Sequence, residues 1–435
     1  PALPRAALWA AAGFGFLIAA QLTPLPAALR KLLQPGFAEV IPPGWASLSL
    51  APWSTLVAGA SAVVAGGVAL TAMRMAASRS GLPRLLALMA FVCGLLAVLG
   101  LAGESRAPEK VLLLAINTGG GDAYGPFVNS NHFALAIELG LPAALALAAA
   151  AARNLGRPGP ARQRAAVEGL AALTVAAIAA AAVLRSGSRG GVLFAALAFG
   201  LSVPLWMRRR SGRRWPWAAA IGGLLVVAAA LAWTRVPALR DGFAELLLVE
   251  GVEGNTRWDL WEGTVRSFAR APVLGSGLGS YAFVIGLDRP ATGTSVLEEA
   301  HNDWLEWLST TGLVGAAVLA LLAAAVAGGL RPGRLRRLRH ELRYPLAAAA
   351  LALTAAGLHE IVDFGLQIPL NRYLLAVWVG LVFGVIARLD SVRERATEVG
   401  APAAEEVADH RQPAAEATRP ADPDRGPEED AGAQT

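Results

Sequence analysis

The sequence predicts an all-α protein built from membrane-spanning helices. Hydrophobic residues make up 55% of the 435-residue chain and charged residues only 16%, whereas a soluble domain usually has about 25% charged residues. Apolar runs of about 20 residues recur, and a helix of this length crosses a bilayer core of about 30 Å. The runs lack the alternating short strands of a β-barrel. We therefore predict a polytopic helical membrane protein with about ten, and up to twelve, transmembrane helices.

Ten apolar runs, numbered in chain order, carry this prediction. They cover residues 6–23, 53–73, 85–101, 133–152, 166–184, 192–207, 215–233, 305–330, 344–362 and 373–387. The longest polar interval, about 234–304, separates runs seven and eight and is expected to form a large loop outside the bilayer. Residues 1–390 are thus the predicted transmembrane domain. Residues 391–435 are rich in Ala, Pro, Glu and Asp without an apolar period, which predicts a disordered tail.

The distribution of arginines predicts the topology. Arginines follow runs two, four, six, eight and ten, whereas the loops after the odd-numbered runs have few. Because basic loops stay in the cytoplasm, both termini are predicted to be cytoplasmic and the large loop to face outward. The net charge of +6 therefore reflects topology and gives no indication of nucleic-acid binding. The single cysteine, Cys93, excludes an internal disulfide and a cysteine metal site.

The motif R-S-G-S-R-G-G places Arg185 and Arg189 at the outward end of run five. Arginine is disfavoured there by topology, so its presence calls for a reason. Guanidinium groups bind phosphate oxygens bidentately, and the glycines allow backbone N–H groups to approach the same anion beside a helix N-terminus. The motif therefore indicates an anion site. The alternative is a pair of arginines that extend from a helix end toward the interface.

The large loop contains a second candidate segment, which begins R-W-D-L-W-E-G at Arg257. Trp258 and Trp261, with Arg266 and Arg270, predict an amphipathic helix at the membrane surface. Arg257 would add to the outward anion site; otherwise the segment is a surface helix with solvated charges. The following P-V-L-G-S-G-L-G-S-Y has no preceding strand and does not match a dinucleotide motif. It predicts a glycine turn for close helix packing, with direct substrate contact as the alternative.

Histidines at the outward boundary are candidates for proton transfer. His301 and Asn302 precede run eight and His132 precedes run four. Imidazole accepts a proton near neutral pH, although a lone histidine is more often structural. Three further ionisable residues close run nine on the same side, where a supporting role is plausible: His359, Glu360 and Asp363. The chain has no HExxH or Cys/His spacing, so we expect no metal and no cofactor; a Mg²⁺ site formed by Asp and Glu stays open, although nothing in the sequence requires one.

In this order, the motifs G-P-F-V-N-S-N-H-F-A, S-G-S-R-G-G, R-W-D-L-W with A-P-V-L-G-S-G-L-G-S-Y, and H-N-D-W-L-E-W-L-S-T-T-G-L-V-G resemble the bacterial O-antigen ligase and O-antigen polymerase family. The resemblance covers roughly residues 110–390. It implies a multi-pass, metal-independent glycosyltransferase of the bacterial inner membrane with a periplasmic active site. It also implies undecaprenyl-pyrophosphate-linked oligosaccharide as donor and lipid A core, lipid-linked glycan or another hydroxyl as acceptor.

The resemblance also implies residue roles. Arg189 and Arg257, with Arg185 beside them, would bind the donor pyrophosphate, and His301 would activate or position the acceptor hydroxyl. Supporting roles would fall to Asn302, His132 and Arg266. Ser130 stands where an arginine is expected. Direct attack on the anomeric carbon would invert its configuration.

The alternative is a transporter or flippase of lipid-linked saccharide. Such a protein should show repeat symmetry or broken helices around charge at the bilayer midplane, whereas the candidate residues here cluster in outward loops. The motifs do not distinguish ligase, polymerase and protein-glycosylating acceptors. Sugar identity and oligomeric state also stay open.

Overall fold

The computed structural model describes residues 2–106, 110–111, 115–116, 123–196, 257–288, 298–335 and 338–398. Its N-terminal helices are α1 (Arg5–Leu22), α2 (Ala27–Leu33), α3 (Pro52–Ala77), α4 (Gly81–Arg106), α5 (Ser130–Asn154) and α6 (Pro160–Arg185). Residues 189–196 are also helical. The later helices are α7 (Arg257–Arg270), α8 (Tyr281–Asp288), α9 (Asp303–Gly329), α10 (Pro332–Leu335), α11 (His340–His359) and α12 (Pro369–Glu398).

Short elements lie in the connections between these helices. Two 3₁₀ helices, Pro35–Phe37 and Gly365–Gln367, are described. Strands β1 (Leu25–Pro26) and β2 (Trp45–Ala46) pair antiparallel, with Leu25 opposite Ala46. Strands β3 (Lys110–Val111) and β4 (Ala115–Ile116) also pair antiparallel, with Lys110 opposite Ile116.

The predicted polytopic helical membrane fold is confirmed, and seven described helices are long and apolar enough to cross a membrane: α1, α3, α4, α5, α6, α9 and α12. Predicted run nine is helix α11, which is not among the seven. Run six is described only to residue 196, and run seven lies outside the described residues. Most of the predicted tail also lies outside them, although α12 continues to Glu398, past the expected boundary at 390.

Helix α5 packs against α4, α6 and α11. Seven consecutive residues, 133–139, are all buried. A stretch that is buried on every side, and apolar except for Glu138, suits a position surrounded by other helices. The Trp378 indole of α12 donates a hydrogen bond to the Leu139 carbonyl oxygen at 2.7 Å, which ties α12 to α5 midway along the bundle.

Two glycines let α3 and α12 approach each other closely. A side chain at Gly380 would collide with the Ala69 carbonyl oxygen, and one at Gly384 would collide with that of Met73. Small residues one turn apart are a common basis of helix association in membranes, where close van der Waals contact replaces the hydrophobic effect.

The predicted glycine turn is present, and it packs against a break in α9. Gly275 has φ +71° and Gly312, inside α9, has φ +64°, a left-handed conformation that glycine adopts at little cost. Backbone hydrogen bonds join the two segments, including Gly277 N–H to the Thr310 carbonyl at 3.0 Å and Leu313 N–H to that of Pro272 at 2.8 Å. The turn therefore fixes α7, which precedes it, against the first part of α9.

The helix ends that carry the candidate residues meet at one end of the bundle. Asn371, in the first turn of α12, donates to the His132 carbonyl oxygen of α5 at 3.0 Å. The Asp303 amide, at the start of α9, donates to the Glu360 carbonyl oxygen after α11 at 3.1 Å. The basic loops lie at the other end of the bundle. Their arginines interact electrostatically with one another or with the first turn of α11: Arg79, Arg153, Arg157, Arg339 and Arg388.

Candidate functional site

His301 and Asn302 form the entry to α9. Asn302 is the N-cap, and its side-chain oxygen accepts a hydrogen bond from the Leu305 amide at 3.0 Å. His301 has φ +48°, a conformation that costs a non-glycine residue about 1–3 kcal/mol and often marks a functional site. The structure therefore holds the His301 ring in a constrained position at the head of a helix.

A buried glutamate anchors this entry on both sides. One carboxylate oxygen of Glu306 accepts from the Ala300 amide at 2.9 Å, directly before His301. The other accepts from the Gln367 side chain at 2.9 Å. Asp303 accepts from the Leu366 amide at 3.0 Å. The entry of α9 and the segment after α11 are thereby held as one unit.

Phe364 separates two of the predicted histidines. Its ring lies 4.5 Å from the His132 ring and 4.7 Å from the His301 ring, centroid to centroid, with edge-to-face geometry in both cases. His132 belongs to α5 and His301 precedes α9, so the fold brings together side chains that are 169 residues apart in the sequence (301 minus 132). Both are buried or nearly so.

Behind His132 lies a chain of acids and imidazoles. His132 Nε2 is 3.7 Å from Asp363 Oδ1, and Asp363 Oδ2 is 3.7 Å from His359 Nε2. His359 Nδ1 in turn lies 3.1 and 3.2 Å from the two oxygens of Glu138. All four side chains are at most 3% exposed.

The R-S-G-S-R-G-G motif packs against this series of acids and imidazoles. Ser188 donates to the Asn131 side-chain oxygen at 2.7 Å, which joins the R-S-G-S-R-G-G and N-S-N-H-F motifs. Gly190 and Gly191 face His359 and Glu138, and a Cβ at these positions would lie 3.5 Å from His359 Nε2 and 3.4 Å from Glu138 Oε1. A Cβ at Gly191 would also lie only 2.5 Å from the Ala134 Cβ of α5, so Gly191 permits the close approach that brings this motif to the site.

The predicted arginines occupy different environments. Arg257 is buried at the first position of α7 and interacts electrostatically with both His301 and His359. Arg189 is half-buried at the first of the helical residues 189–196, and Arg185 is exposed at the end of α6. Arg266 is exposed and bonded to Glu262 at 2.5 Å. The structure therefore places Arg257 beside His301 and Arg266 on the opposite face of α7.

The electrostatics of the site keep His301 neutral. Burial, and secondly the nearby Arg257 cation, lower the pKa of His301 to about 4, while Asp363 opposes the shift. A neutral imidazole at neutral pH has a lone pair that can accept a proton. Glu299 beside it shows the opposite behaviour, since burial and the neighbouring carboxylates raise its pKa to about 7.

Sequence reasoning did not select Glu138, which the structure places at the site. The available signal was a carboxylate inside apolar run four, since ionisable groups in membrane segments are costly and often functional.

Within the described ranges, no group of three or more His, Cys, Asp or Glu side chains is arranged to hold a metal ion.

Residues 174–320 match the family model described as O-antigen ligase. The matched segment contains the R-S-G-S-R-G-G motif, α7, the glycine turn and His301–Asn302. The match confirms the resemblance to the O-antigen ligase family over this part of the chain and supports a glycosyl transfer function related to lipopolysaccharide. No curated protein matches the chain.

Proposed function

We propose that this protein transfers or polymerises saccharide from an undecaprenyl-pyrophosphate carrier onto a hydroxyl acceptor, without a metal ion, at the periplasmic face of the inner membrane. The observation that carries the proposal is the convergence of Arg257, His301 and His132 at the end of the bundle away from the basic loops. The R-S-G-S-R-G-G motif with Arg189 lies against the same cluster.

In this proposal the arginines bind the pyrophosphate of the donor. Breaking the bond from the anomeric carbon to the pyrophosphate leaves negative charge on the departing oxygen. Guanidinium groups fixed in advance stabilise that charge, each by a few kcal/mol. Arg257 and Arg189 each lie at the start of a helical segment, where the helix dipole also favours an anion.

His301 is the proposed base. Its imidazole would take the proton of the acceptor hydroxyl as the oxygen attacks the anomeric carbon from the side opposite the leaving group, which inverts the configuration. A base with a pKa near 4 is weak in the empty site. Binding of an anionic pyrophosphate beside Arg257 would offset that cation and raise the pKa of His301, because an opposite charge nearby stabilises the imidazolium. The base would therefore become effective when the donor is bound.

The proposed orientation follows from the basic loops. Arginines at one end of the bundle favour the cytoplasm for that end, so the site faces the periplasm, where the lipid-linked donor would be presented. Both termini are then cytoplasmic. Accessibility of single cysteines, introduced at each end of a Cys93→Ala variant, to an impermeant maleimide in intact cells tests this orientation. Labelling of the arginine-rich end would refute it.

The function is tested by transfer in proteoliposomes. Undecaprenyl-pyrophosphate oligosaccharide is supplied with a chelator, each acceptor is offered separately, and product mass is measured. One lipid-core product identifies a ligase, a ladder of lengthening lipid-linked chains a polymerase, and a glycosylated peptide a protein-directed enzyme. Arg257→Ala should abolish transfer, whereas Arg162→Ala, an exposed arginine at the start of α6, should not. Donor that crosses the bilayer with no new glycosidic bond would replace this proposal with a flippase.

A further inference from the structure

The chain of acids and imidazoles behind His132 extends further than proton acceptance by His301 requires. It begins at Glu138, about two turns into α5, passes through His359 at the end of α11 and Asp363 beyond it, and ends at His132. Three separate elements supply its members. Phe364, adjacent to Asp363, then contacts the rings of both His132 and His301.

Such a chain is costly to place inside a membrane protein. Removing a charged group from water costs several kcal/mol, and a buried ion pair recovers this only with good geometry. Well-packed apolar side chains would serve stability equally well or better. Stability therefore does not explain why these four residues are ionisable, and their arrangement calls for a functional reason.

The contact distances differ along this series of acids and imidazoles. His359 Nδ1 reaches both oxygens of Glu138 within 3.2 Å, which is hydrogen-bond distance, so this contact fixes the orientation of the ring. The two 3.7 Å separations on either side of Asp363 are too long for hydrogen bonds. Among the described residues, neither Asp363 oxygen and neither His132 ring nitrogen has a hydrogen-bond partner. Asp363 and His132 are thus close to each other without a hydrogen bond between them.

The arginine motif is coupled to the same pair. Gly190 and Gly191, which follow Arg189, are in close range of His359 and Glu138. The Glu138–His359 pair is therefore close to two parts of the site. One is the segment that carries Arg189, and the other is the Asp363 carboxylate, which faces His132. Neither Glu138 nor His359 is exposed, so neither contacts a substrate in this arrangement.

We propose that Glu138 and His359 form a buried positioning pair that directs the Asp363 carboxylate at His132 and so orients His132 against the Phe364 ring, which also contacts His301, for glycosyl transfer. The pair acts through Asp363 and touches neither substrate. This inference rests on the proposed function. It predicts that the Glu138 carboxylate contributes to kcat, while the KM values for donor and acceptor stay close to those of the unaltered protein.

The test compares Glu138→Gln, Glu138→Asp and Trp378→Phe in the proteoliposome assay. Glu138→Gln keeps the size of the side chain and removes its charge. Trp378→Phe removes the hydrogen bond to Leu139, the neighbour of Glu138 on α5, and changes no charge. We expect Glu138→Gln to lower kcat by about tenfold or more, equivalent to about 1.4 kcal/mol, with unchanged KM. Glu138→Asp should recover part of the loss, and Trp378→Phe should keep kcat.

Two outcomes would overturn the inference: an unchanged kcat in Glu138→Gln, or equal losses in Glu138→Gln and Trp378→Phe, which would indicate general disruption of α5. If Glu138→Gln does not fold because His359 is left without its partner, the double variant Glu138→Gln with His359→Gln restores an amide pair and should still show the low kcat. Normal turnover in that double variant also refutes the inference. Failure of the proposed function is distinct, since it would appear as no transfer by the unaltered protein.

Discussion

Substitution of Gly312 by alanine tests the packing of the glycine turn against the break in α9. Gly312 has φ +64°, and an added Cβ would overlap the Val273 carbonyl and approach the Gly275 amide nitrogen to 2.7 Å. Both neighbours are backbone atoms, which cannot move aside as the end of a flexible side chain can. The substitution should therefore separate the turn from α9.

The magnitude follows from two contributions. A left-handed backbone costs a residue with a Cβ roughly 1–2 kcal/mol, and forcing a methyl group into a packed site costs about 1–3 kcal/mol. Together they predict a loss of about 2–5 kcal/mol in the free energy of unfolding. Gly328 lies on the same helix with nothing within 4 Å of an added Cβ, so Gly328→Ala should instead be neutral or stabilising by up to about 1 kcal/mol.

The assay is reversible unfolding in mixed micelles, with the two variants compared with the unaltered protein. Glycosyl transfer is measured on the folded fraction, because a turn that has moved away also shifts α7, and with it Arg257, relative to His301. Equal stability of Gly312→Ala and Gly328→Ala would refute the reasoning. It would mean that the turn does not pack against the break as closely as the structure shows.

Three further predictions follow from other contacts. NMR titration of labelled histidine should give His301 a pKa of about 4, and Arg257→Gln should raise it because a nearby cation is lost; an unchanged value would show that the two side chains are not neighbours. Asn302→Ala should lower the stability by about 1 kcal/mol through loss of the N-cap, with Asn302→Ser largely restoring it; equal melting temperatures would contradict this role. Gly384→Leu should separate α3 from α12 and reduce folded protein in the membrane, whereas Gly66→Leu, at an open position of α3, should not; equal yields would exclude the close packing.

Helix positions were the most predictable part of this protein. Eight predicted apolar runs lie in described residues and each is a helix, because an uninterrupted apolar run in lipid has to satisfy its backbone hydrogen bonds internally. The amphipathic helix at Arg257 was also predictable. Two of its three arginines could have been separated from the sequence alone, since Arg257 and Arg266 are nine residues apart and about 100° per residue places them on opposite faces of a helix.

The sequence alone determined the class of the protein, the approximate helix bounds and the motifs that carry the family resemblance. All of these depend on local composition and spacing. The tertiary structure decided which of those residues meet. Glu138 and His359 are 221 residues apart, and Phe364 separates two histidines from distant elements. Such contacts depend on which helix faces pack together, and the packing depends on small features such as Gly191 and Gly312 that no periodicity reveals.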